Sequence, residues 1–275
     1  MLFRSVGLGI EKIRVTGGEP LIRAGIVPFL GRLSKIAGLR HLVLTTNGLL
    51  LEQMAADLFQ AGVQRLNVSL DSLNQATFSR ITRGGELNKV LAGLDAAEAA
   101  GFSPPKINVV VMRGINDNEI LDFAVLTISR GNSVRFIEYM PVVKQDGWQQ
   151  LCLSGKEVLQ KIAGRYAFAK VARKDLAGPS DDYQIAGALG SFGIITAVSG
   201  HFCNDCNRIR ITAQGRAKGC LFSDESTDLK PFLRPADPQG LSRVLHDSVL
   251  AKPEKHTIMP GIYSHRNFTM AHVGG

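Results

Sequence analysis

"KIRVTGGEP" (residues 12–20) decides how the chain is read. A short β-rich run passes through two glycines, which permit a tight backbone turn, and reaches Pro20, which suits the first position of a helix. Similar β-rich runs recur at "HLVLTT" (41–46), "RLNVSL" (65–70), "KINVVVM" (106–112) and "VRFIEYM" (134–140). Helix-like segments lie between them, such as "VLAGLDAAEAAGF" (90–102), with apolar residues at helical spacing. Five strands separated by helices imply parallel, right-handed βαβ units that close toward a barrel or open into a doubly wound sheet.

In a β/α barrel, sites gather where strands end. Polar residues stand at those ends: Thr16 to Glu19, Thr45 to Asn47 and Ser69 to Asp71, followed by Met140. Lys106 begins its strand instead, and joins such a site only from inside the barrel. Arg14, Thr45 and Lys106 are separated by roughly one or more βα units, so a barrel brings them to one lumen. Charges buried there are costly unless a ligand or partner compensates them. On its own, "TGGEP" needs no ligand to explain it. With one, the bare glycine backbone admits a charged group and Glu19 meets an ammonium.

After Pro141 the rhythm changes. "SGKE" (154–157) has the pattern of a capping box for a helix to about residue 162. "YQIAG", "FGIITAV" and "RIRITAQGRAKGC" read as antiparallel hairpins, and a last helix covers about 240–249. The expected organisation is residues 1–141 as a partial β/α barrel and 142–275 as a smaller C-terminal α+β cap.

The chain has 275 residues, 45% hydrophobic and 20% charged, so a globular core is expected rather than disorder. No apolar run approaches a membrane span, and the start lacks the cleavage site of a signal peptide. Four cysteines in a chain this long do not form a disulfide framework, which favours a reducing compartment. The net charge of +8 favours a polyanionic ligand. Few aromatic residues, 7% with one Trp, argue against a stacking surface for single-stranded nucleic acid.

Three of the cysteines fall in "HFCNDCNRIRITAQGRAKGC" (201–220), spaced C-x2-C-x13-C at Cys203, Cys206 and Cys220. Three thiolates leave a metal a free position, whereas His201 as a fourth ligand would close a structural zinc site. Spacing alone does not separate zinc from a [4Fe–4S] cluster. Arg208 and Arg210 share one face of a strand beside the thiols, and guanidinium forks suit phosphate oxygens. The lone Cys152 reads as an ordinary semi-buried thiol.

Taken in order, "KIRVTGGEPLIR", "LTTNG", "LNVSLD", "INVVVMRGIND", "RFIEYMPV", "FCNDCNRIR", "GCLF" and the final "GG" resemble the molybdenum-cofactor GTP 3',8-cyclase family of radical S-adenosylmethionine (SAM) enzymes, from about residue 12 to 275. The resemblance implies an incomplete β/α barrel holding both SAM and GTP, with a [4Fe–4S] cluster on Cys203, Cys206 and Cys220 whose open iron meets the guanine. It implies GTP contacts at Arg14, Thr45, Lys106, Arg208 and Arg210. SAM contacts fall at Gly18, Ser69 and Met140, with Glu19 as partner of the SAM amino group. Gly274 and Gly275 match the family's double-glycine tail, which enters the active site. In the family a 5'-deoxyadenosyl radical takes the 3' hydrogen of GTP, and ring closure at C8 gives 3',8-cyclo-7,8-dihydro-GTP. A homodimer, a downstream cyclic pyranopterin monophosphate synthase, and a cytoplasmic location (mitochondrial in a eukaryote) are also implied, with no membrane or nucleic-acid partner.

The family's N-terminal C-x3-C-x2-C loop, which carries the SAM-reducing cluster, has no counterpart here: no cysteine precedes Cys152. The expectation is an N-terminally truncated form whose first strand is missing, that leaves the strand at 12–16 as a sheet edge, and that does not cleave SAM alone. Other readings are a non-catalytic short isoform binding GTP and a cluster, a different radical SAM enzyme, and a zinc-stabilised nucleic-acid-binding module.

Overall fold

A computed structural model describes residues 5–140, 147–172, 178–200, 203, 206–223 and 225–254. The expected strands form as β1 (Lys12–Val15), β2 (His41–Thr46), β3 (Arg65–Ser69), β4 (Lys106–Val111) and β5 (Ser133–Glu138). They pair in sequential order, all parallel. The crossovers carry α1 (Ile26–Ser34), α2 (Leu51–Gln60), α3 (Gln75–Thr82), α4 (Leu87–Ala99) and α5 (Ile120–Ser129). Among the described residues β1 is an edge strand, paired only to β2.

Local chemistry sets the helix boundaries. The Asn74 side chain accepts from the Ala76 and Thr77 amides to start α3. Helix α6 (Gly155–Ala163) opens on the anticipated capping box, with Ser154 and Glu157 bonding each other's backbone amides. The last described helix, α7 (Pro238–Leu250), starts on Asp237, which accepts from the Gly240 amide.

The sheet continues past residue 141. Strands β6 (Phe168–Lys170), β7 (Asp181–Ile185) and β8 (Ser191–Ile195) form antiparallel pairs, and β8 then docks parallel onto β5. The hairpin read at "YQIAG" and "FGIITAV" therefore extends the main sheet to eight strands rather than standing apart in a cap. The physical reason is on both faces. Phe192 and Ile194 continue the apolar layer, with Phe192 meeting Phe136 edge-on, while the free edge of β5 gains a ladder of hydrogen bonds.

The two faces of the sheet differ completely. Ile13, Leu42, Leu44, Leu66, Val68, Ile107, Val109, Val134 and Phe136 join one apolar core with residues of the helices. Their alternate neighbours make a second face, mostly polar and helix-free among the described residues. A separate small core of Ala217, Leu229, Leu241 and Leu245 supports the arm built from β9 (Arg210–Ile211), β10 (Arg216–Lys218), β11 (Thr227–Asp228) and α7. No helix among the described residues is long and apolar enough to cross a membrane.

Candidate functional site

Cross-strand register sorts the helix-free face into rows. One row runs Arg14, Val43, Arg65. The next runs Thr45, Asn67, Lys106, Ser133, Ser191. A third runs Ser69, Asn108, Arg135, Gly193, Asp182. Thr45 and Lys106, predicted from different βα units, thus share one row with Asn67 between them, whose amide donates to Thr45 Oγ1 at 3.3 Å.

Positive charge accumulates here. Burial and then the charges of Arg14, Arg135 and Arg65 lower the Lys12 ammonium to about 8. Burial and the Arg135 charge likewise lower Lys106 to about 8, with Asp182 pulling the other way. Arg14 is lowered to about 10 by burial, then by Arg135, Arg208 and Arg210. Its side chain nonetheless remains exposed, as expected of a group lining an open hollow rather than filling a core. Four strand spacings separate β1 from β5, about 19 Å in a flat sheet. That Arg135 acts on both Lys12 and Arg14 means that their long side chains converge over this face.

Arg135, 8% exposed, has a buried Nε with no hydrogen-bond partner among the described residues. Burial lowers its pKa, Asp182 opposes that, and Arg65 adds to it. A buried guanidinium in this state is strongly disfavoured unless an anion meets it.

The arm closes on the same region. Burial, followed by the Arg208 charge, lowers Arg210 to about 10, while Cys206 and Cys220 act in the opposite sense. The Cys206 amide donates to the Cys203 carbonyl at 3.0 Å, forming the turn of the C-x2-C pair. Lys218 pairs with Arg210 across the β9–β10 hairpin, so two residues further on the chain returns Cys220 toward Arg208. Lys252 Nζ donates to the carbonyls of Cys206 and Arg208 and ties the turn to α7. Burial raises the Cys206 thiol, but the Arg208 amide and guanidinium with the Lys252 charge outweigh it and bring the thiol to about 7.

Half-buried free thiols among arginines are donors of the right softness for iron or zinc. Among the described residues no three His, Cys, Asp or Glu side chains are gathered tightly enough to hold a metal ion. The thiols share a neighbourhood, and a metal commonly organises its own ligands on binding. Cys152 is raised to about 11 by burial and the nearby Glu138, which makes it an inert thiol.

The strand-end residues form a second group. Glu19 caps the short turn at Pro20–Ile22 and accepts from Leu21 N, Thr46 Oγ1 at 2.7 Å and Asn47 N at 2.6 Å. It thereby bolts "TGGEP" to "TTNG". Gly48 of the latter has φ 82°, and a Cβ there would press on Val68 and Val90. Gly18 and Ser69 are exposed beside this junction at the ends of β1 and β3, and Met140 follows β5 half-buried. His201, Gly274 and Gly275 lie outside the described residues.

Lys12, Arg65, Arg135 and Asp182 were not singled out from sequence. For Lys12 and Arg135 a signal exists in the alternation of polar with β-branched or aromatic residues in "KIRV" and "SVRF", read at period two; Arg65 and Asp182 are placed only by register.

Comparison with known proteins gives two family matches. The Radical SAM superfamily model covers residues 2–126 and the Molybdenum Cofactor Synthesis C model residues 132–258. A GTP 3',8-cyclase of Geobacter sulfurreducens is 59% identical over 271 residues, 98% of this chain and 83% of the relative. Proteins of the same name from Alkaliphilus oremlandii and Peptoclostridium acidaminophilum are 41% and 44% identical, each over 98% of this chain.

Proposed function

This chain belongs to the GTP 3',8-cyclase family of radical SAM proteins, and from that premise we propose that its helix-free sheet face and its cysteine arm hold GTP between them. The reaction is the conversion of GTP, with SAM, to (8S)-3',8-cyclo-7,8-dihydroguanosine 5'-triphosphate, an early step toward molybdopterin. The carrying observation is the crowd of desolvated cations, Arg14, Lys106, Arg135 and Arg210, of which the Asp182 carboxylate acts on Lys106 and Arg135. A triphosphate supplies the missing negative charge, and guanidinium forks match its oxygens.

In this reading Arg14, Lys106, Arg208 and Arg210 grip the phosphates, and Arg135 joins them through its unpartnered Nε. Thr45, oriented by Asn67, contacts the nucleotide from the same row as Lys106. Cys203, Cys206 and Cys220 would hold a [4Fe–4S] cluster, and the family likeness assigns the C-terminal Gly274 and Gly275, which lie outside the described residues, to the same site. Three thiolates would leave such a cluster one iron without a protein ligand, which would be available to the substrate. Gly18, Ser69 and Met140 receive SAM at the strand ends, where Glu19 keeps one remaining lone pair for its amino group while bracing the two turns. The protein's share of the work is to fix ribose and SAM in register and keep water out. The family likeness further supports two functional parts divided close to residue 141, with the 168–195 hairpin of the second completing the sheet of the first, a homodimer, and delivery of product to cyclic pyranopterin monophosphate synthase.

The test is calorimetric titration of GTP into the anaerobically reconstituted chain, with iron and zinc measured on the same sample. One GTP per chain, preferred over ATP and weakened by salt, with an iron cluster lost in Cys206→Ser, is the expected result. Absence of GTP binding, or zinc in place of iron, overturns the reading.

A further inference from the structure

Asp182 occupies an unusual position on the cationic face. In the row Arg135, Gly193, Asp182 the central residue has no side chain, and a Cβ added there would fall on Ser180 Oγ and Asp182 Oδ1. Gly193 thus lets the Asp182 carboxylate and the Ser180 hydroxyl lie across β8, toward the cations of β4 and β5. Both atoms are buried without a hydrogen-bond partner among the described residues, as is Arg135 Nε on the other side of the glycine. Yet no direct ion pair joins Asp182 to Lys106 or Arg135, although its charge acts on both. A carboxylate placed to neutralise an arginine would touch it, since a contact ion pair satisfies both partners. A carboxylate held back from contact imposes a fixed negative field on whatever anion the cations bind.

We propose that Asp182 is a positioning residue that limits phosphate affinity: a negative charge built into the cationic floor so that a triphosphate is gripped reversibly. This rests on the reading of that floor as the GTP site. A floor of several desolvated cations with no opposing charge would hold substrate and the equally charged triphosphate product alike, and release would slow. The repulsion grows with ligand charge, so the carboxylate penalises GTP more than GDP, and GDP more than GMP. Gly193 is then required because any side chain there would displace the carboxylate.

The experiment compares the full chain with Asp182→Asn and Asp181→Asn, titrating GTP, GDP and GMP at low and high salt. Asn keeps the shape of Asp182 and removes its charge. Asp181 pairs with Lys170 and lies on the opposite face of the same strand, so it controls for net charge. Expected is GTP binding about tenfold tighter in Asp182→Asn with a slower off-rate, smaller gains for GDP and GMP, and no change in Asp181→Asn. The gain should shrink in high salt. Unchanged or weaker GTP binding by a folded Asp182→Asn chain overturns the proposal, as does an equal gain in Asp181→Asn. If the unmodified chain binds no GTP at all, the reading of the site fails instead, and the two failures are told apart.

Discussion

On the polar face near the strand starts, cations crowd together and Arg135 Nε lacks an acceptor among the described residues; at the strand ends, Glu19, Glu119 and Glu138 each accept two or more hydrogen bonds from the protein. Arg135 presses on the protonation of both Arg14 and Lys106. Glu138, by contrast, is 4% exposed and accepts from the amides of Gly155, Val198 and Ser199 at 2.7–2.8 Å and from the Ser199 hydroxyl. Glu119 similarly takes Ser72 Oγ and Leu73 N, and Glu19 takes three donors. Burial is common to both sides, so burial alone does not mark a ligand site. What separates them is whether the protein itself supplies the partner. Satisfied carboxylates hold loops together, while underpaired cations leave a charge that a bound anion would compensate.

That contrast predicts opposite signs for two substitutions. Arg135→Met removes a buried, underpaired charge and keeps the volume of the stem. GTP binding should weaken by about a hundredfold while the ligand-free protein gains about 1 kcal/mol. Calorimetry and a denaturant melt check the two halves, and a loss of stability would place Arg135 among the structural charges. Glu138→Ala strands the amides of three residues. Stability should fall by about 2 kcal/mol in the same melt, whatever the nucleotide. Since Ser199 stands four residues before Cys203, the cluster proposed for the thiols should also be lost faster to a chelator.

The strands could be read from sequence almost to the residue, because β-branched runs bounded by glycine and polar turns leave few alternatives. The capping box at Ser154 was equally plain, since both of its partners are local. What sequence concealed was non-local. Nothing in "FGIITAV" states that β8 will dock parallel on β5, because that choice is made by the unpaired edge of β5 and by Phe136 meeting Phe192. The site divided in the same way. Arg14 and Lys106 stood out as charges inside strands, whereas Arg135 and Asp182 acquire meaning only when register sets them on either side of Gly193. Glu19 was assigned to a ligand from its motif, yet the structure also gives it three protein donors, which a motif cannot reveal.

The smallest effects are in pH, and they sharpen the comparison because the two sides titrate in different windows. Lys12 and Lys106 fall from the ordinary 10.5 to about 8 in the folded chain. Between pH 8 and 10.5 the unfolded chain therefore binds more protons than the folded one, and stability rises with pH across that window. The stabilisation is complete above 10.5 and is lost as pH falls through 8. GTP binding should run the other way, weakening above pH 8 as Lys106 gives up its charge, so a melt and a titration at pH 7.5 and 9.5 should move in opposite senses. Asp71, at the strand-end side, is raised from 3.8 to about 6 by burial, with the Val110 amide opposing. Its contribution is fully present below pH 3.8 and is lost as pH rises through 6. Asp71→Asn should flatten that acid-side slope and leave the alkaline window untouched. If it altered the alkaline slope, the two ends of the sheet would share one electrostatic network, and the division between satisfied and frustrated charges would not hold.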